Sequence, residues 1–263
     1  MRNNILYFFL FCFLSLNLSA QELEINSNNA KYDDIKKITI LEGDVNLEDG
    51  KGNKLFSEYA EYNKLNGLIK TVGTTKIITS NNFEVLGSNM IFDNKKKSIY
   101  SNYKTQIKDN DGNKILLGMF SYSMATNIFF SKGNIEITDV NNNNYKFSQV
   151  YIDENSKKII GSDAKAFLKQ KNLSMAAGNE PRFFANTMSI TNNENTFEKG
   201  IFTYCKNREN EKCPPWVLKS SKIKHDLASK TIYYDNVVLK VYDFPIFFSP
   251  KFSHPDPTVK RKS

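Results

Sequence analysis

The chain has 263 residues, 40% of them hydrophobic and 24% charged, with a formal net charge of +8. These values are ordinary for a globular protein and leave room for one large or two modest domains. After residue 20 no stretch is long and apolar enough for a membrane helix, which needs about 20 residues.

The first element is an export signal by its anatomy. Arg2 supplies the positive start, Ile5–Leu16 the apolar run, and Leu18-Ser19-Ala20 a small residue at the cleavage position before Gln21-Glu22. An uncleaved N-terminal anchor is the alternative, because Leu18 is not the small residue preferred three places before cleavage. Cys12 lies inside the apolar run, which speaks against a lipoprotein signal. Removal of Met1–Ala20 takes away one positive charge and leaves a basic, exported chain. That charge speaks against nucleic acid as a partner. Anionic envelope components such as lipid phosphates suit it better, although a plain solvated surface explains it too.

A thirty-residue period follows. Tyr32, Tyr62, Phe92, Tyr122 and Ile152 recur at that step, as do Leu47, Ile77, Ile107, Ile137 and Phe167. Ala60, Met90, Phe120 and Val150 form a third column, and Gly43, Gly73 and Gly133 a fourth that Tyr103 interrupts. Within each unit, runs such as ITILEGDVNL, FEVLGSNMIF and GNIEITDV alternate at period two. Alternation sends one set of side chains to a single face of a sheet. Turns such as EDGKGN, DNKKKS and DNDGN separate the runs, so the strands are short and antiparallel. Only 163–178 (DAKAFLKQKNLSMAAG) leaves room for a helical turn. A unit this small cannot bury its own apolar face, but a stack of units can. The fold class is therefore all-β: an elongated, open-ended stack of antiparallel strands, as a two-sheet jelly roll or a solenoid. Unpaired end rungs invite strand addition from a partner.

Toward the C-terminus Cys205 and Cys213 flank the charged KNRENEK segment. Export and the count of two mature cysteines favour a local bridge, with free thiols as the alternative. Pro245 and Pro250 bracket IFFS, which marks an edge or bent strand rather than a central one. Pro255 and Pro257 force an extended path through His254–Thr258. Lys260-Arg261-Lys262 suits anionic headgroups or a solvated tail. No nucleophile elbow, phosphate loop or metal-binding motif is present. His225 and Asp226 are adjacent, so in a strand they point to opposite faces. The chain is not read as an enzyme, and no cofactor or metal is expected.

Glu42-Gly43-Asp44-Val45, Asp49-Gly50 and Ala60-Glu61-Tyr62-Asn63 resemble the OstA-like domain of lipopolysaccharide transport proteins. The C-terminal third, with Cys213-Pro214-Pro215-Trp216, Pro245, Pro250 and Ser253-His254-Pro255-Asp256-Pro257-Thr258, resembles the junction to the outer-membrane barrel in the LptD family. That resemblance implies a signal peptide at 1–20, OstA-like jelly-roll repeats at 21–200, and a β extension at 201–263 leading to a barrel that this sequence does not contain. It further implies lipopolysaccharide transport and assembly in the periplasm at the outer membrane. The acyl chains would lie between sheets, and candidate inward residues are Ile77, Phe92, Ile107, Phe120 and Ile137. The implied partners are lipopolysaccharide, other OstA-like transport proteins joined by edge strands, and an outer-membrane barrel or lipoprotein. A free-standing bridge protein and a lipid-free envelope scaffold are the alternatives. The residues alone weigh a lipid slot and a packed core equally.

Overall fold

The computed structural model describes residues 23–169, 179–206, 215–256 and 259. The proposed signal segment lies outside them. The first half of the strands is β1 (Glu24–Asn26), β2 (Asn29–Asp33), β3 (Ile38–Glu48), β4 (Lys54–Asn63), β5 (Leu68–Thr71), β6 (Thr74–Ile78), β7 (Glu84–Ser88), β8 (Ile91–Asp93), β9 (Ser98–Ser101), β10 (Thr105–Lys108) and β11 (Lys114–Leu117). Then follow β12 (Phe120–Ser123), β13 (Ile128–Thr138), β14 (Asn144–Asp153), β15 (Lys158–Phe167), β16 (Asn179–Ile190), β17 (Glu194–Glu198), β18 (Ile201–Lys206), β19 (Trp216–Lys219), β20 (Lys222–Asp226), β21 (Thr231–Val241) and β22 (Phe244–Pro255). All pair antiparallel.

Two sheets arise because each run bends at its middle. In β3, Ile38–Glu42 pairs with β2, whereas Leu47 pairs with Ile25 of β1. The register shifts between Glu42 and Val45, where Gly43 and Asp44 both take positive φ. A bulge of this kind twists and re-aims a strand. β13 repeats the device between Lys132 and Ile135, around Gly133. Elsewhere the bend becomes a break, and one run becomes two strands, as in β5 and β6. One row of half-strands forms sheet I (β2, β5, β8, β9, β12, β17, β20). The other forms sheet II (β1, β6, β7, β10, β11, β18, β19). The long strands β3, β4, β13, β14, β15, β16, β21 and β22 belong to both. The result is an elongated, open two-sheet stack in which β22 pairs only with β21, and β1 and β2 only with β3.

The thirty-residue period has a direct structural reading. In each sheet one period is two adjacent strands. Cross-strand register then carries Tyr62 to Ile69, Phe92, Ile99, Tyr122, Phe129 and Ile152 along the inner face of sheet I. On sheet II it carries Leu47 to Leu55, Ile77, Val85, Ile107, Ile115 and Ile137. The two rows face each other in one buried cluster. Phe83 of sheet II meets Phe129 of sheet I with ring centroids 6.0 Å apart.

Two sequence readings change. Phe167 leaves its column: β15 keeps one register past Asp163, without the register shift that β3 and β13 show at their bulges, and Ala166 takes the inward place between Tyr145 and Phe183. Phe167 then points the other way and meets Phe184 edge-on at 6.3 Å. The suspected helical turn is strand over 163–167, and 170–178 lies outside the described residues.

Candidate functional site: the interior between the sheets

The five candidate residues stand on both inner faces. Ile77, Ile107 and Ile137 belong to the sheet II row, at 1%, 0% and 3% exposure. Phe92 and Phe120 lie on sheet I, opposite Ile69 and Ser101 respectively. They lie in a single apolar cluster, but side chains already fill the space around them. Phe129 stacks on Tyr122 at 4.4 Å and touches Phe120 at 6.4 Å. Gly161 has no side chain because none fits: a Cβ there would sit 2.2 Å from the Phe147 ring. Any apolar guest between the sheets must part them or displace such side chains.

Beyond Ile190 the sheet I row turns polar. Asn195, His225 and His254 take inward places there, in register with Ile190 and Ile232. His225 Nε2 lies 3.0 Å from Asp256 Oδ2, and both side chains are buried. His254 Nε2 lies 2.8 Å from the Tyr234 hydroxyl. Burial holds the His254 pKa below its ordinary value, against the opposing pull of the Pro255 carbonyl and Asp256. Burial also raises that of Tyr234. Asn195 Oδ1 and His225 Nδ1, on directly paired residues, have no hydrogen-bond partner among the described residues. This end of the interior can receive a polar group, whereas the Ile69–Ile152 stretch cannot.

The last rung is incomplete. Phe244, Phe247 and Phe252 pair with Val241, Leu239 and Tyr234, so they continue the inner rows. With no further strand on β22 they are exposed by 74%, 56% and 39%. The segment that reads as a domain junction is thus the edge strand of the same stack.

A polar clasp closes the side of the stack away from the bends. Glu154, on the turn after β14 of sheet I, is 4% exposed. Thr79 Oγ1, on the turn after β6 of sheet II, donates to its Oε1 at 2.7 Å. Tyr122 and Asn81 donate to its Oε2 at 2.8 and 3.3 Å. Burial raises the Glu154 pKa; the hydrogen bonds from Thr79, Tyr122 and Asn81 pull it down. Two cations stitch the same edge: Lys51 Nζ donates to the Met124 carbonyl at 2.8 Å, and Lys157 meets Asp111 at 3.0 Å. Sequence reading did not single out Glu154. The period contained the signal, because Met124 occupies the same place one unit earlier and is equally buried.

Cys213 and the Cys205 side chain, and with them the suggested bridge, lie outside the described residues. Among the described residues no group of three or more His, Cys, Asp or Glu side chains is placed to hold a metal ion.

The profile of the family described as "Lipopolysaccharide-assembly, LptC-related" matches residues 2–108, less than half of the chain. No curated protein matches. Among solved structures, the chain is similar to the crystal structure of LptH, described as the LptA homologous periplasmic component of the conserved lipopolysaccharide transport device from Pseudomonas aeruginosa. The identity is 13%, the match covers 54% of this chain and 82% of that one, and the TM-score is 0.25, too low for an argument about this chain. The family match overturns the resemblance to LptD. The matched profile is LptC-related and stops at residue 108, and Pro245, Pro250 and Pro255, three of the residues that carried the resemblance, belong to β22.

Proposed function

We propose that the chain is a free-standing, non-enzymatic β bridge that handles lipopolysaccharide in the periplasm, near the outer membrane, after cleavage of its signal peptide. The observation that carries this reading is the pair of unbroken apolar rows that face each other from Leu47 to Ile152. The LptC-related match over residues 2–108 supports it. Acyl chains would run between the rows, past Ile77, Phe92, Ile107, Phe120 and Ile137. Each methylene moved there from water gains about 0.8 kcal/mol, which offsets the work of parting the sheets. Residues 21–200 would carry the cargo. Residues 201–263 would form the exit rung, whose exposed aromatics meet the next OstA-like protein, barrel or lipoprotein. Phosphates and sugars would stay outside, beside lysines.

One observation favours a lipid-free scaffold instead: the interior is already filled by its own side chains. Extraction of the purified protein from a lipopolysaccharide-producing cell separates the two. Lipid A recovered in stoichiometric amount supports the bridge. A protein that stays lipid-free under saturating lipopolysaccharide is a scaffold.

A further inference from the structure

Sheet II also has an outer face, and a groove of about 1130 Å³ crosses it. Leu86, Gln106, Leu116, Glu136, Lys146 and Lys165 form one cross-strand row over β7, β10, β11, β13, β14 and β15. Strands lie about 4.8 Å apart, so the row is roughly 24 Å long. Its apolar end is Leu86 and Leu116, which are 46% and 50% exposed. At its other end Lys146 and Lys165 stand directly opposite each other. Like charges in that relation destabilise a sheet. Lys104 also lines the groove.

The lysines of this face are treated unequally. Lys54 and Lys76 are paired with Glu48 and Glu84 on the neighbouring strands, at 3.2 and 2.5 Å. Lys104, Lys146 and Lys165 have no carboxylate in ion-pair range among the described residues. The two carboxylates of the groove accept hydrogen bonds from neutral donors: Glu136 from Asn144 Nδ2, and Asp163 from Ser148 Oγ at 2.6 Å. The groove therefore offers an apolar floor that ends in two opposed ammonium groups with no carboxylate in ion-pair range, Lys146 standing between Glu136 and Lys165.

We propose that this groove is a binding site for a phosphate-bearing amphiphile, with its anionic head between Lys146 and Lys165 and its chain along Leu116 and Leu86. The site lies outside the sandwich and does not depend on what the interior holds. An anion between the two lysines turns a repulsive cross-strand pair into a bridged one, and the chain covers two exposed leucines.

Decyl phosphate, kept below its micelle concentration, is the probe, and titration calorimetry on the full chain is the readout. The wild type is expected to bind it at least tenfold more tightly than inorganic phosphate or decyl maltoside. Lys146→Gln with Lys165→Gln, and separately Leu86→Ser with Leu116→Ser, are each expected to weaken binding at least tenfold. Neither pair faces the interior, so binding between the sheets would leave both variants like the wild type. The lysine variant loses the like-charge neighbours Lys146 and Lys165 and the opposite-charge neighbours Glu136 and Lys146, which offset each other, and it should melt near the wild type, which separates lost binding from lost folding. The proposal is overturned if decyl phosphate does not bind, if inorganic phosphate binds equally well, or if both variants bind as the wild type does.

Discussion

Replacing Glu154 by alanine removes the acceptor that joins its own turn to the turn after β6 and to β12. Thr79 Oγ1 and Tyr122 OH lose their partner, and water has poor access to a site that is 4% exposed. Each stranded buried donor costs about 1–3 kcal/mol. Tyr122 retains a poor alternative, Asn127 Oδ1 at 3.4 Å, so the total should fall near 3 kcal/mol. Glu154→Gln is gentler and isolates the charge. Burial raises the carboxyl pKa above its ordinary 4.5 in the folded chain. The folded state then holds the proton more tightly than the unfolded one. The stability this confers is complete below pH 4.5 and is lost as pH rises through the folded pKa. Glutamine has no such proton. The unfolding free energy of the wild type minus that of Glu154→Gln must therefore fall as pH rises above 4.5, by at most about 1.36 kcal/mol per pH unit. Urea denaturation of the wild type and both variants between pH 4 and 8 measures it. A flat or rising difference would mean that the hydrogen bonds to Glu154 outweigh its burial.

Gly161→Ala should destabilise the chain by about 2 kcal/mol, because the new methyl group overlaps the Phe147 ring. Adding Phe147→Leu should recover part of that loss, and simple additivity in denaturation would show that the two do not touch. Lys97 closes the turn after β8 at φ +50, a conformation that costs a side-chain-bearing residue about 1–2 kcal/mol. Glycine avoids that strain and loses about 0.5–1 kcal/mol of chain entropy. Lys97→Gly should therefore raise stability by about 0.5 kcal/mol, read as a higher melting temperature; a lower one refutes it.

The sequence showed its period because each unit repeats the same register. Tyr62, Phe92 and Tyr122 stand every second strand in one row, so alternation and spacing sufficed to place them inside. What it hid depends on single backbone conformations. The missing bulge in β15 moves Phe167 to the outer face, and no composition signal marks it. Glu154 gave no signal of its own, because its partner Thr79 is distant in sequence. The polar end at Asn195 and His225 was equally invisible, because alternation reports the face of a residue and not the character of its neighbours. Pro245 and Pro250 marked an edge or bent strand correctly, but with Pro255 they also carried the junction resemblance. Prolines suit an edge strand and a junction equally well, and the structure shows that these three lie in a strand paired with β21.

Photo-crosslinking puts the lipid reading to its sharpest trial. A benzophenone amino acid replaces Phe120, which is 1% exposed between the sheets, or Tyr151, which is 47% exposed outside them. Irradiation in cells that make lipopolysaccharide should give a lipopolysaccharide adduct at 120 and none at 151. Adducts at 151 alone, or at neither position in a folded and exported protein, would leave the facing rows as a packed core with no cargo.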